Sequence, residues 1–154
     1  MGYTHYWYRV RSLDTAKFAQ FSADAKKLYE ALPKGIVIRN GEGEGEPEFS
    51  SDAVCFNGDA SEGLDHETFA IDQVFRSDYE QTDGTTGMLF DFCKTARKPY
   101  DLLVCSVLLA LLHHFPECKV SSDGRSGEWR DALRFYQSVF PKRMKKALTF
   151  VSTL

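Results

Sequence analysis

Apolar and polar residues alternate in the first segment of the chain, as they do in a β-strand with two different faces. Between residues 3 and 11, one face carries Tyr6, Tyr8 and Val10, which we expect to pack into a core. The other face is aromatic and cationic, an unusual combination for an exposed sheet face, and consists of Tyr3, His5, Trp7, Arg9 and Arg11. We expect this second face to form one half of a binding site.

Three segments have the three- and four-residue spacing of helices. The first begins at Asp14, a residue type that caps helix N-termini, and ends before Pro33. The second, from Tyr100 to Phe115, is apolar on nearly every side, so it belongs in the centre of the fold or at a subunit interface. The third runs from about Glu128 to Phe140 and stops at Pro141.

Short strands separate these helices. The β-like segments are residues 36–39, 53–56, 66–72, 88–92 and 118–121. The acidic, glycine-rich stretch GEGEGEPEFSS at residues 41–51 predicts a mobile, solvated loop. Because strands and helices are mixed without a regular βαβ rhythm, the sequence predicts an α+β fold, with a mostly antiparallel sheet of about five strands packed against three helices. The length predicts a single globular domain over residues 1–154.

Composition narrows the partners and the compartment. The net charge of −3 argues against an extended nucleic-acid-binding face, which normally shows an excess of basic residues. The cysteines form no C-x-x-C pair, so we expect reduced thiols and a cytoplasmic protein; they are Cys55, Cys93, Cys105 and Cys118. No signal-peptide pattern is present, and the apolar run at residues 102–112 is shorter than the roughly 20 residues that span a bilayer. We therefore expect no membrane partner.

The strongest candidate for chemistry is the cation-rich segment FCKTARKPYD at residues 92–101. Lys94, Arg97 and Lys98 lie directly before the apolar helix, whose first turn is set by a proline. Free backbone N–H groups and the helix dipole attract negative charge there, Thr95 adds a hydroxyl donor, and an arginine can bind phosphate with two hydrogen bonds. The segment predicts a site for a phosphate-like anion. The alternative is a solvated loop whose cations pair with neighbouring acidic residues.

The histidines are weaker candidates. His66, within DHETF, could act as a general acid or base or contact a ligand, although a histidine at a strand edge is the simpler interpretation. His113 and His114 end the central helix, where the C-terminal dipole accounts for them, and we expect no metal site. The segment SSDGRSGEW at residues 121–129 could bind phosphate as a strand-to-helix turn, but turn formation alone explains its residues.

Five short stretches can be read together: MGYTHYW, CFNG, DHETF, FCKTARKPYD and the SSDG turn followed by a tryptophan. The set resembles a small family of phage and bacterial proteins that open with MGYTHYW-like residues and carry a FCKTARKPYD-like segment. The resemblance covers most of the chain, and the ten-residue segment is its most specific part. The family has no settled activity, so it implies no catalytic residues. It implies a phage setting in the host cytoplasm, where small proteins often act on host defence and capture of nucleotide signals is one strategy.

The sequence favours a binding protein for a small phosphorylated, nucleotide-like molecule, acting without a cofactor. The phosphates would be held by Lys94, Thr95, Arg97 and Lys98. The base would meet the aromatic strand face and its neighbours, namely Tyr3, His5, Trp7, Arg9, His66 and Phe69. Polar groups would be recognised by Asn57 and Asp123. These residue types suffice for capture, so we expect sequestration rather than catalysis.

Two other functions stay open. In a phosphoesterase, His5 and His66 would be acid–base partners while the cations stabilise negative charge. In a protein inhibitor, the acidic loop at residues 41–48 would dock on a basic host factor and the aromatic strand would anchor the interface. The helix at residues 100–115 also has more apolar surface than one face of a small domain needs, which predicts a homo-oligomer.

Overall fold

Across residues 2–154, which the computed structural model describes, the chain forms four α-helices and six β-strands. In chain order they are β1 (Thr4–Arg9), α1 (Thr15–Ala31), β2 (Glu48–Phe49), β3 (Ala53–Phe56), β4 (Phe69–Asp72), β5 (Leu89–Lys94), α2 (Asp101–His114), β6 (Lys119–Ser122), α3 (Arg130–Val139) and α4 (Met144–Val151). The predicted α+β class is confirmed. The strands form two three-stranded antiparallel sheets, however, rather than one sheet.

The first sheet has β1 at its centre, in the order β5-β1-β6, and the second has the order β2-β3-β4. In the first sheet, His5 lies opposite Cys93 on one side and Ser122 on the other. Residues directly opposite one another in an antiparallel sheet point to the same face. One face of this sheet therefore carries His5, Cys93 and Ser122, and the other carries the residues that alternate with them along each strand.

The predicted assignment of the two faces of β1 is wrong. Trp7 and His5 are fully buried, and Tyr3 nearly so, whereas Tyr6 and Tyr8 are half-buried and Val10 is exposed. Alternation reveals that a strand has two faces, but packing decides which one is inside. The His5 face is inside because the apolar helix α2 packs against it, with Cys105 in contact with His5.

Arg9, a cation in this buried face, is accommodated by backbone carbonyl groups. Its guanidinium donates to Val10 at 3.0 Å, to Arg11 at 2.9 Å, to Gln73 at 3.1 Å and to the carbonyl of Asp72. Burial lowers the pKa of Arg9 below its usual value. Because Asp72 is the last residue of β4 and Gln73 follows it directly, this side chain joins the two sheets.

The first two helices form where the periodicity predicts them. The Asp14 carboxylate accepts the backbone N–H of Lys17 at 2.9 Å and caps α1, as expected. In α2, residues 103–111 are all buried inside the chain itself, against α1, α3 and the first sheet. The apolar surface of α2 is thus covered within one protomer and gives no support to an oligomer through this helix. No helix of the described chain is long and apolar enough to cross a membrane.

The region between α1 and β3 differs from its prediction. Residues 36–39 form no strand; Arg39 makes only an isolated bridge to Asn57. The acidic segment is folded onto Asn40, whose side-chain carbonyl accepts the backbone N–H groups of Glu42 and Glu44 at 2.9 and 3.2 Å. An Asx-type turn therefore satisfies part of the backbone of the predicted loop, and Glu48–Phe49 at its end form strand β2.

The chain also continues into a helix that the periodicity did not predict. Pro141 ends α3, but it starts a single 3-10 turn that leads into α4. Within this turn Arg143 donates to Asp24 of α1 at 2.6 Å, and His114 at the end of α2 donates to the same carboxylate oxygen at 2.6 Å. The three helical segments are therefore tied together by one half-buried carboxylate.

Candidate functional site

A hydrogen-bond network lies where the inner face of β1 meets the N-terminus of α2. Nε2 of His5 is 2.7 Å from Oδ1 of Asp101, in the first turn of α2. Nδ1 of the same ring is 2.8 Å from Oγ of Ser122, the last residue of β6. The network thus joins β1, β6 and α2, three elements that are distant in sequence.

The partners of Ser122 fix the protons in this network. Its Oγ accepts the backbone N–H of Gly124 at 2.9 Å and Nε1–H of Trp129 at 3.1 Å. A hydroxyl has two acceptor lone pairs and one hydrogen, so that hydrogen is left for Nδ1 of His5. Nδ1 of His5 therefore carries no hydrogen and accepts from Ser122, and Nε2–H donates to Asp101.

Asp101 gathers two further donors. The Thr95 hydroxyl donates to its Oδ1 at 2.5 Å, and the Cys105 thiol to its Oδ2 at 3.6 Å. The carboxylate also lies in the first turn of α2, where the helix dipole favours negative charge. The chain's own anion thus occupies the helix N-terminus at which the sequence predicted an external one.

The order Ser122–His5–Asp101 resembles the triad of a serine hydrolase, but the geometry does not suit that chemistry. A nucleophilic hydroxyl must face the substrate with a free lone pair. Both acceptor positions of Ser122 are directed at Trp129 and Gly124. The triad-like order is therefore a structural connection between strand and helix.

The same place holds three atoms with the spacing of metal ligands. Nε2 of His5, a carboxylate oxygen of Asp101 and Sγ of Cys105 all lie within 4.8 Å of one another. A metal would need a lone pair on Nε2 and a thiolate. The proton on Nε2 opposes the first requirement, and burial raises the pKa of Cys105 well above its usual value, which opposes the second. These residues do not fit a metal centre.

Asp101 also lines a cavity between α2, α3 and the cation-rich segment. Its volume is about 180 Å³, and its lining residues are Arg97, Lys98, Asp101, Leu102, Cys105, Glu128, Asp131 and Ala132. The Arg97 side chain is 60% exposed and lies 3.2 Å from Glu128. Nζ of Lys98 donates to the carbonyl of Gly63 at 2.9 Å. The cavity is therefore lined by two cations, the hydrogen-bonded carboxylate of Asp101 and two further acidic residues.

The backbone that presents these cations is strained. Ala96 and Arg97 have φ values of 52° and 58°, in the left-handed region that residues with a Cβ rarely adopt. The turn is closed by the N–H of Lys98, which donates to the carbonyl of Thr95 at 3.0 Å. Each such residue costs roughly 1–2 kcal/mol. In this turn the guanidinium of Arg97 lies over the Tyr3 ring, 4.1 Å from its centroid.

The segments singled out in the sequence do meet, although not as a stacking surface. The backbone N–H groups of Thr95 and Ala96 donate to the carbonyl of Tyr3, at 3.0 and 3.2 Å. His66 is exposed, and its Nδ1–H donates to the carbonyl of Lys94 at 2.9 Å. The Tyr3 ring lies between Arg97 and the edge of His5. The chain start, the DHETF segment and the cation loop therefore share one end of the first sheet.

Most of the other predicted ligand contacts are structural. The Trp7 and Phe69 rings pack together in the core, 5.3 Å apart. Asn57 is buried, and its side-chain amide donates to the carbonyls of Gly41 and His66 at 3.1 and 2.9 Å. Asp123 is exposed but accepts from β1 rather than lining the cavity.

Of the predicted ligand set, Arg97 and Lys98 line the cavity. The sequence-based set omitted the acidic cavity residues Asp101, Glu128 and Asp131. Asp101 had one usable signal, since an acidic residue in the first turn of a helix is favoured by the dipole. The other two become neighbours of the loop only through the packing of α3 on α2.

Comparisons with known proteins found no relative of this chain. No family model matches it, and no curated protein or solved structure matches it. The resemblance to phage and bacterial proteins stays a prediction. Function is therefore inferred from the chemistry of the cavity.

Proposed function

We propose that this protein binds a small phosphorylated, nucleotide-like molecule in the cavity above Asp101. The observation that carries the proposal is that Arg97 and Lys98 line the same cavity as the hydrogen-bonded carboxylate of Asp101. Arg97 and Lys98 would hold phosphate, and the open edge of Asp101 would accept a hydrogen bond from a hydroxyl or amino group of the ligand. A phosphorylated sugar combines these two kinds of group.

The ion pair between Arg97 and Glu128 can be exchanged for a ligand at small cost. The Arg97–Glu128 pair is exposed on both sides, with side chains 60% and 46% accessible. Exposed ion pairs contribute about 0–1 kcal/mol. A phosphate accepts two parallel hydrogen bonds from one guanidinium and is the stronger partner.

The size of the cavity limits what it encloses. Its volume of about 180 Å³ lies below the roughly 300–1,000 Å³ of typical ligand pockets. It would enclose a phosphate and part of a sugar and leave a base outside. Trp7, Phe69 and His5 are buried, so base stacking on them forms no part of the proposal.

Binding is proposed in preference to catalysis. His5 has no exposed surface and both its nitrogens are occupied, so it cannot reach a substrate as the acid–base partner of His66. In the phage setting that the sequence resemblance implies, capture without turnover would remove a signalling nucleotide in the host cytoplasm.

Calorimetry with inorganic phosphate, nucleoside monophosphates and cyclic nucleotides tests the proposal. Arg97→Gly removes the guanidinium while glycine tolerates the left-handed backbone, so the variant should fold and bind the best probe at least tenfold more weakly. Arg125→Ala, which removes another exposed arginine, should leave binding unchanged. Absence of heat with every probe, or equal affinity in Arg97→Gly, would contradict the proposal.

A further inference from the structure

Four aromatic side chains form a patch on the outer face of the β5-β1-β6 sheet. We call this patch the outer aromatic face; it consists of Tyr6, Tyr8, Phe90 and Phe92. Phe90 is central, with ring centroids 6.1 Å from Tyr6, 5.2 Å from Tyr8 and 5.8 Å from Phe92. Phe92 is 47% exposed, and the other three rings are half-buried.

This patch has no part in the proposed ligand site. The cavity lies on the opposite side of the sheet, where α2 and α3 pack and where His5 points. Large exposed side chains gathered in one place mark an interaction surface more often than scattered ones do. The outer aromatic face is therefore a second surface that needs an occupant.

Two charged residues at the edges of the face indicate what the occupant is. Lys94 ends β5 opposite Thr4, and Asp123 follows β6 at the same level, with its backbone N–H bonded to the carbonyl of Thr4. Within the described chain, neither residue forms an ion pair. Asp123 accepts only neutral donors, the N–H of Thr4 at 3.0 Å and the hydroxyl of Tyr6 at 2.9 Å.

A lysine on one edge and an aspartate on the other suit a second copy of the same face. A nucleic-acid strand stacking on the rings would meet the Asp123 carboxylate beside Tyr6, and its phosphates would be repelled there. A second copy related by a two-fold rotation instead places each unpaired charge beside an unpaired charge of opposite sign. The arrangement is self-complementary, as an isologous interface requires.

We propose that the protein forms a homodimer through the outer aromatic face, with the two-fold axis parallel to β1. This rotation lays β1 over β1 of the partner and β5 over the partner's β6. Lys94 then faces Asp123 of the partner subunit, and the large Phe92 faces the small Ser121 of the partner subunit. Phe90 faces Lys119 of the partner subunit, so that the apolar stem of this lysine would pack on the ring.

Such a dimer would be a sandwich of two sheets about 10 Å apart, the usual spacing for facing sheets. Its centre would be the aromatic rings and its rim the Lys94–Asp123 pairs. That distribution, with an apolar centre and a charged rim, is the ordinary anatomy of a stable interface. Assembly would not require the ligand.

Sedimentation velocity of the full chain without ligand tests the proposal over a range of protein concentrations. We expect a species of twice the protomer mass of 17.5 kDa. Phe92→Glu buries a charge at the interface and should raise the dimer dissociation constant at least tenfold. The matched control is Leu148→Glu, which changes a side chain of similar exposure, 54%, on α4 and should leave the dimer intact.

A charge exchange tests the symmetry. Lys94→Glu should weaken the dimer, and adding Asp123→Lys to it should restore the association. Circular dichroism would confirm that each variant is folded. The proposal is overturned if the wild-type chain stays monomeric throughout, if Phe92→Glu dimerises like the wild type, if the double variant associates no better than Lys94→Glu, or if the monomer binds oligothymidylate through this face.

Discussion

Nε2 of His5 lies 2.7 Å from Oδ1 of Asp101, although the two residues are 96 positions apart in the sequence. This contact joins the central strand of the first sheet to the first turn of the most buried helix. It also holds the Asp101 carboxylate, which lines the cavity. The stability of the fold and the geometry of the proposed site therefore depend on the same hydrogen bonds.

Loss of the Ser122 hydroxyl should destabilise the protein. Ser122→Ala leaves Nδ1 of His5, the N–H of Gly124 and Nε1 of Trp129 without a partner. Unsatisfied buried polar groups cost about 1–3 kcal/mol, so we expect a loss of about 2 kcal/mol in urea denaturation. The exposed Ser126→Ala, close by in the chain, should change stability by less than about 0.5 kcal/mol. Equal effects of the two substitutions would contradict the network.

Gly124 is required by the close approach of Tyr3. A Cβ at this position would lie 2.0 Å from the Tyr3 hydroxyl oxygen. Gly124→Ala should therefore lower stability by roughly 1–3 kcal/mol. Adding Tyr3→Phe should recover part of the loss, which a double-mutant cycle measures as coupling. Gly127→Ala, where a Cβ would meet nothing within 4 Å, is the control and should cost nothing.

Relief of strain in the cation loop should stabilise the protein. Ala96→Gly removes a left-handed alanine at φ 52° and should gain about 0.5–1 kcal/mol after the entropy cost of glycine. The same substitution at Ala19, exposed in the interior of α1, should instead lose about 1 kcal/mol. Thermal unfolding of the two variants tests this opposition in sign, and a loss in both would show that the turn is not strained.

Two arginines in one segment should behave differently. Arg9→Met leaves four carbonyl groups at the ends of β1 and β4 without this donor and should cost about 2 kcal/mol or more. Arg11→Met breaks an exposed pair with Glu80 and should cost less than about 1 kcal/mol. Chemical denaturation of both variants compares them directly, and similar losses would mean that the buried guanidinium does not join the sheets.

The pH dependence of stability should contain a contribution from Asp91. Burial raises the pKa of this carboxyl to about 6, above the unfolded value of about 3.9. The folded state therefore holds the proton more tightly, so this contribution to stability is present below about pH 4 and is lost as pH rises through 6. Between pH 4.5 and 7.5 the loss should be about 2 kcal/mol.

Asp91→Asn should abolish this loss, and Asp78→Asn, at an exposed position, should keep it. Urea denaturation at the two pH values measures both variants. If Asp91→Asn loses as much stability as the wild type over this pH interval, Asp91 does not titrate as described.

The sequence by itself determined the features that local patterns encode. The spacing of Phe18, Phe21 and Leu28, with Asp14 before them, is enough to place α1, because a helix is built from contacts three and four residues apart. The apolar run that forms α2, and the cations that directly precede it, can likewise be read from one continuous stretch of sequence. The alternation of β1 also identified two distinct faces.

Only the tertiary structure decided which of those faces is inside. Alternation does not distinguish a buried face from an exposed one. The His5 face is buried because α2 packs on it: Cys105 contacts His5, and Asp101 accepts a hydrogen bond from its ring. The division of the strands into two sheets, and the meeting of Ser122, His5 and Asp101, likewise depend on contacts between distant segments. A buried polar residue is tolerated only where its partners converge, and convergence is a property of the packed chain rather than of any one stretch of sequence.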